Sequence, residues 1–322
     1  MIRKLTAPPI WYGIIAAILL ILPLVNDSRS TLILMTQIFI FAVFAMSYDL
    51  LLGYTGIISF GHAMFFGLGA YTVGIWMNRQ DESLFSLLMA ILVTVILCAL
   101  LGYVLGVVTL RLKSHFYAML TLAVAGLFQV GAEKWRSLTM GNDGFTFSIP
   151  EWLMDRQLFY YIAFFFMVGG FLLLRRFTLS PLGRILQAIR ENEQRAESLG
   201  YRVLHYKVIS NIVAGIVAGL AGLMYGLALR FVNTGVFGVD ITLDGLLMTI
   251  IGGVGTLVGS IIGAALIQIA HDWLTDLAQV HWLFERWIIL FGIIYILAVR
   301  FFPQGIVGSI QRLADRWKER KM

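Results

Sequence analysis

Few residues in this chain are equipped for chemistry. Asp49, in SYDLLLGYTG, and Asp244, in LDGLLMTIIGGVG, each precede a glycine-rich break in an apolar span. An ionisable group at such depth is what a proton- or sodium-coupled carrier needs, although helix capping or solvation at a segment end is the plainer role. His62, within GYTGIISFGHAMFFGLGAYT, reads either as a hydrogen-bonded packing residue or as a polar group on a pathway. Lastly, Arg190, Glu191, Glu193, Arg195, Glu197 and Arg202 crowd into the short run LQAIRENEQRAESLGYR.

Catalytic equipment is missing. No glycine is followed by lysine, so there is no G-x-x-x-x-G-K-[ST] loop to cradle ATP phosphates. H-E-x-x-H, C-x-x-C and G-x-S-x-G are also absent, and the five histidines (His62, His115, His205, His271, His281) are scattered. The single cysteine, Cys98, sits in the apolar run AILVTVILCALLGYV and reads as a small buried hydrophobe. The chain is therefore not expected to be an enzyme, and no cofactor or metal site is expected. Energy for any work must come from elsewhere.

The elements that must position these groups are membrane helices. With 59% hydrophobic and only 13% charged residues and a mean hydropathy of +0.86, the chain is a polytopic membrane protein whose first partner is the lipid bilayer. Stretches long enough to cross about 30 Å of hydrocarbon fall near 10–25, 31–52, 58–77, 84–110, 116–132, 158–174, 207–230, 242–256, 257–273 and 286–302. The expected fold class is all-α, a polytopic transmembrane helical bundle of about ten segments, with two glycine-interrupted segments in an internal repeat. The N-terminal stretch MIRKLTAPPIWYGIIAAILLILPLV lacks a small-residue cleavage site and reads as an uncleaved first helix.

The net charge of +6 is topological and does not point to nucleic acid. Seventeen of the 24 Lys and Arg residues fall on one side of this layout and seven on the other, which predicts both termini in the cytoplasm. Residues 1–322 then form a single transmembrane domain. It has a long cytoplasmic loop at 175–206, a short cytoplasmic tail at 303–322 and a turn-rich outer loop at 133–157.

Paired glycine breaks in two halves of a membrane protein point to a substrate path. That assigns Gly53, Tyr54, Thr55, Gly56, Ser59 and His62 at the first break and Gly252, Gly253 and Gly255 at the second as pathway residues. Other small-xxx-small pairs, such as Gly215/Gly219 and Gly222/Gly226, read as close helix packing.

The charged run carries helix punctuation: Ser180 at the N-cap, Pro181 at N1 and Gly200 at C′. A helix bent at Asn192 follows, with an apolar stripe of Leu182, Ile185, Leu186, Ile189, Ala196 and Leu199. On one helix, Glu191 pairs with Arg195 and Arg190 reaches Glu193. An acidic second half would be repelled by anionic headgroups, so the expected partner is a protein.

SPLGRILQAIRENEQRAESLGYRVLHYK, GYTGIISFGHAMFFGLGAYT, LTLAVAGLFQVGAEKWRSLTMGNDGF and MTIIGGVGTLVGSIIGAAL together resemble the permease subunits of branched-chain amino acid ABC importers, the LivM type. The resemblance runs in order from about residue 31 to 305. It implies uptake of leucine, isoleucine or valine across the inner membrane. The implied partners are a second, homologous permease, two cytoplasmic ATP-binding subunits and a periplasmic substrate-binding protein. It also implies that Arg190, Glu191, Asn192, Glu193, Ala196, Leu199 and Gly200 form an ATPase-coupling helix. Ala196 and Gly200 match the A-x-x-x-G end of the family's E-A-A-x-x-x-G pattern, whereas Glu193 lies one residue too far and Arg195 stands where alanine is expected. Permeases for urea or short amides share these motifs, and an ion-coupled amino acid carrier is the alternative outside the family.

Overall fold

The computed structural model describes residues 9–25, 28–80, 82–110 and 114–278, together with Gly292, Gly305, Ile306 and Gly308. The expected segment at 286–302 and the tail at 303–322 lie, apart from those positions, outside the described residues. In chain order the helices are α1 (Pro9–Val25), α2 (Arg29–Asp49), α3 (Ala63–Arg79), α4 (Leu84–Thr109), α5 (Ser114–Lys134), α6 (Arg136–Thr139), α7 (Arg156–Leu179), α8 (Pro181–Glu191), α9 (Glu193–Ser198), α10 (Val203–Leu229), α11 (Val239–Gly252) and α12 (Leu257–Ala278).

The helical class is as expected, with one small departure. Two-residue strands β1 (Phe145–Thr146) and β2 (Phe231–Val232) pair antiparallel, Phe145 opposite Val232. Among the described residues, six stretches are long and apolar enough to cross a membrane: Arg29–Thr55, Leu84–Thr109, Phe116–Lys134, Arg156–Leu179, Val203–Leu229 and Leu257–Thr275. The other expected crossings among the described residues are shorter helices, α1 and α3 of 17 residues and α11 of 14.

α2 is the centre of the bundle. Every residue from Ile38 to Leu51 is buried, and α7, α10, α11 and α12 pack around it. Phe39 meets Tyr160 and Phe164 of α7 edge to face, and the Tyr160 hydroxyl donates to the Leu19 carbonyl of α1 at 2.6 Å. α4 shows the opposite pattern. Leu84, Leu88, Leu92, Ile96 and Leu100 all project outward, as a helix facing lipid on one side must.

Small residues let α10 approach its neighbours closely. A methyl group on Gly222 would collide with the Phe66 carbonyl of α3, and one on Gly69 with the Gly219 carbonyl. Asn211 of α10 donates to the Gly102 carbonyl of α4 at 2.8 Å, satisfying a polar side chain inside the bundle. α7 and α10, of 24 and 27 residues, run the full depth of the molecule, roughly 36–40 Å at 1.5 Å per residue. They separate two ends: β1 and β2 lie at one, α8 and α9 at the other.

Candidate functional site

The end carrying α8 and α9 gathers most of the residues singled out by sequence. α2 does not stop at Asp49 but widens into a π turn over Leu50–Thr55. The Gly56 amide donates to the Leu51 carbonyl, five residues back, and Gly56 ends the turn in the left-handed region at φ 74°. Thr55 caps the freed carbonyls, its hydroxyl lying 3.0 Å from the Leu50 carbonyl and 2.6 Å from that of Leu51. The chain then runs irregularly to α3, held by Tyr48, whose hydroxyl donates to the Ser59 carbonyl at 2.9 Å.

The second break begins where α11 ends. Gly253 (φ 130°) and Gly255 (φ 82°) adopt backbone angles that L side chains rarely take, and α12 starts two residues later. Thr256 caps the turn, donating from its hydroxyl to the Gly253 carbonyl at 2.6 Å. Gly252 lies against Gly259 so closely that neither has room for a side chain.

These two breaks meet. The Gly255 amide donates to Asp49 Oδ1 at 2.7 Å, across 206 residues of sequence. Gly53 sits between them, and a Cβ there would collide with both the Asp49 carboxylate and the Gly255 backbone. Asp49 has no exposed surface, and its second oxygen, Oδ2, has no hydrogen-bond partner among the described residues. Asp244 takes no part. It lies half-buried in the second turn of α11, near Tyr225 and Asp240, eight residues before Gly252.

Arg190 brings the charged run to the same spot. Its guanidinium donates from Nη1 to the Gly53 carbonyl. Its stem lies over Gly56, where an added Cβ would stand 3.1 Å from Arg190 Cγ; one added at Gly255 would stand 3.3 Å from both Arg190 Nη1 and the Gly53 oxygen. Of the pathway residues, then, Gly53, Gly56 and Gly255 come together with Arg190 and Asp49.

The remaining pathway residues are placed differently. Tyr54 is half-buried and packs against the core. Ser59 and His62 are buried. The Ser47 hydroxyl donates to the Phe44 carbonyl at 2.6 Å, so at 2.9 Å from His62 Nε2 it accepts the ring proton. Phe44, Tyr48 and Phe65 enclose that ring. Among the described residues, no three His, Cys, Asp or Glu side chains are grouped as a metal ion would require.

The charged run itself corrects one expectation. Ser180 caps α8 as expected, accepting from the Gly183 amide at 3.3 Å. At Asn192 the backbone turns extended (φ −160°), and this side chain caps a second helix by accepting from the Arg195 amide at 2.9 Å. An Asx side chain competes with the helix for a nearby amide, and here it ends α8 and starts α9. Glu191 and Arg195 thus fall on different helices and lose their i, i+4 relation. Arg190 turns to Gly53, leaving Glu193 to pair with Lys207 of α10 at 2.8 Å. α9 closes on Gly200 (φ 88°) with the Gly200 amide on Glu197 and the Tyr201 amide on Ala196, the two bonds of a Schellman cap. Leu186, Ile189 and Ala196 are buried on the inner side, whereas Leu199, placed on the same stripe by spacing, is 72% exposed.

The comparisons agree with the earlier resemblance. The family model described as the permease component of branched-chain amino acid transport systems matches residues 30–299. The high-affinity branched-chain amino acid transport system permease protein LivM of Escherichia coli is 22% identical, over 87% of this chain and 70% of its own length. BraD of Pseudomonas aeruginosa, a permease protein of a system of the same description, is 23% identical over 83% of this chain and 91% of its own. The permease protein LsrC of an autoinducer 2 import system, from Photorhabdus laumondii, is 27% identical over 62% of this chain and 60% of its own. No solved structure matches. With the family model spanning most of its length, the chain belongs to the permease components of branched-chain amino acid transport systems, as a multi-pass membrane permease of the LivM type.

Proposed function

We propose that the chain is one half of the membrane pore of an ATP-driven importer and moves leucine, isoleucine or valine inward across the inner membrane. Both termini face the cytoplasm in this reading. A homologous permease completes the pore, a periplasmic binding protein delivers substrate, and two ATP-binding subunits hydrolyse ATP on the cytoplasmic side. This chain supplies no covalent chemistry. Alternating access needs only that the ATP-bound and ATP-free partners favour different permease conformations.

The observation that carries this reading is the α8–α9 pair. Glu191, Asn192, Glu193, Glu197, Leu199 and Gly200 face outward on it, while Arg190 of the same pair touches the first glycine break. A partner pressing on that surface therefore acts on a segment already joined to both breaks. Gly53, Gly56, Gly252, Gly253 and Gly255 line the path at its inner end. Tyr54, Thr55, Ser59 and His62 stand behind them as supporting groups.

Uptake of radiolabelled leucine should stop with a vanadate-type block of the ATPases and persist when the proton gradient alone is collapsed. The reverse result would favour an ion-coupled carrier. Replacing Glu193 or Gly200 should leave the protein in the membrane but uncouple ATP hydrolysis from uptake. Competition by isoleucine and valine, but not by urea or short amides, would support the branched-chain reading. The likeness to a permease of an autoinducer 2 import system makes that panel necessary, because permease likeness alone does not fix the substrate.

A further inference from the structure

We infer that Asp49 and Arg190 are positioning residues that join α8 to both glycine breaks as one mechanical relay. The inference rests on the importer reading above. Three contacts converge at one point. Arg190 Nη1 donates to the Gly53 carbonyl, the Gly255 amide donates to Asp49 Oδ1 at 2.7 Å, and Gly53 lies pressed between Asp49 and Gly255.

The chemistry of the groups argues for a relay over a static brace. A carboxylate with no exposed surface is costly to bury unless its oxygens are satisfied, yet Asp49 Oδ2 has no partner among the described residues. The nearby cation that can supply one is Arg190, an exposed residue on α8 that reaches in from the surface and is not part of the core. An arginine has five donors in a planar fork, and one holds the Gly53 carbonyl. A small movement of α8 toward the bundle brings the fork onto Asp49 Oδ2, where a charge-assisted pair forms; movement away leaves only the Gly53 contact or breaks it. Because Asp49 holds the Gly255 amide and Arg190 holds Gly53, either movement displaces the two breaks together.

The test uses the full importer reconstituted in vesicles, reading substrate moved per ATP hydrolysed. Arg190→Gln should lower that ratio by about tenfold, a coupling loss in the range seen for residues between linked sites. Arg190→Lys, which keeps a cation able to reach a carbonyl and a carboxylate, should stay within about threefold of wild type. Asp49→Asn keeps an acceptor for Gly255 and removes the charge; combined with Arg190→Gln it should cost no more than the worse single variant, as expected of residues acting as one unit. A brace of packing alone would give Gln and Lys the same ratio. Equal ratios for Lys, Gln and wild type, or losses that multiply in the double variant, would overturn the relay. Should Asp49→Asn fail to reach the membrane, the two Arg190 variants decide the matter alone, since that side chain lies at the surface. If the unmutated importer moves substrate without ATP, the importer reading itself falls and the relay with it; a coupled wild type with coupled Arg190 variants removes the relay alone.

Discussion

At the first glycine break α2 widens into a π turn and ends on Gly56; at the second, α11 stops at Gly252 and the chain passes through Gly253 and Gly255 before α12. Each break follows an aspartate in sequence, but the two aspartates serve different ends. Asp49 is enclosed and reaches across to hold an amide of the second break, while Asp244 stays on α11, about 12 Å along the helix from its own break. Each break has a local cap, Thr55 at the first and Thr256 at the second, and the first also offers its Gly53 carbonyl to Arg190. The second borrows an acceptor from the first, so damage at Asp49 should reach both while damage at Asp244 reaches neither.

The largest effect is expected at the point of contact. In Gly53→Ala the new methyl must displace the Asp49 carboxylate or the Gly255 backbone. A loss of on the order of 1–3 kcal/mol follows from overpacking a close approach, measured as a lower unfolding midpoint of the purified protein, together with lost uptake. An unchanged midpoint would mean that the two breaks do not touch. The control is Gly126→Ala on α5, where nothing lies within 4 Å of the added methyl; helix propensity predicts a gain of up to about 1 kcal/mol.

The two aspartates should differ in what their loss costs. Asp49→Ala leaves the Gly255 amide buried without its acceptor, a cost of about 1–3 kcal/mol. Asp244→Ala removes no hydrogen bond that organises a break and should cost less than about 1 kcal/mol. Equal losses at the two positions would restore the symmetric picture that sequence suggests. Hydrogen exchange at Gly255 gives a local check: its amide should exchange faster in Asp49→Ala and unchanged in Asp244→Ala.

Which parts of this were readable beforehand follows from the range of the interactions. Local signals read well. Ser180, Pro181 and Gly200 mark α8 and α9 because capping depends on neighbours within a few residues, and apolar length alone marked the long helices. Asn192 was legible as a bend but not as a full stop, because its side chain can either ride on a helix or cap the next one. Long-range contacts left no trace. Nothing near Asp49 indicates Gly255, and Arg190 had an acidic neighbour three residues on as a plausible local partner. The glycines were likewise ambiguous in type. Gly219 and Gly222 serve packing, as their spacing suggests, and so do Gly67 and Gly69 inside the first glycine-rich stretch, whereas Gly53 and Gly255, read as path residues, also form the junction.

The smallest expected effect separates two roles for Glu193. Its carboxylate pairs with Lys207 at 2.8 Å, but the Glu193 side chain is 51% exposed, so water and salt screen the pair. A pair open on its Glu193 side contributes about 0–1 kcal/mol, and this part of the cost of Lys207→Ala or Glu193→Ala should shrink as ionic strength rises, while Lys207, only 12% exposed, also packs its stem. Both substitutions delete the same pair, and Lys207→Ala also loses a mostly buried stem, so it should lower the unfolding midpoint at least as much as Glu193→Ala. If the pair is all that Glu193 does, the two variants lose coupling alike. If Glu193 instead meets the ATP-binding partner, Glu193→Ala should couple several-fold worse than Lys207→Ala without being the less stable of the two, and supplying the partner in excess should recover Glu193→Ala the more readily, since mass action restores a weakened contact. Equal coupling in both would confine Glu193 to bracing α9 against α10 and leave partner contact to Glu197, Leu199 and the open surface at Gly200.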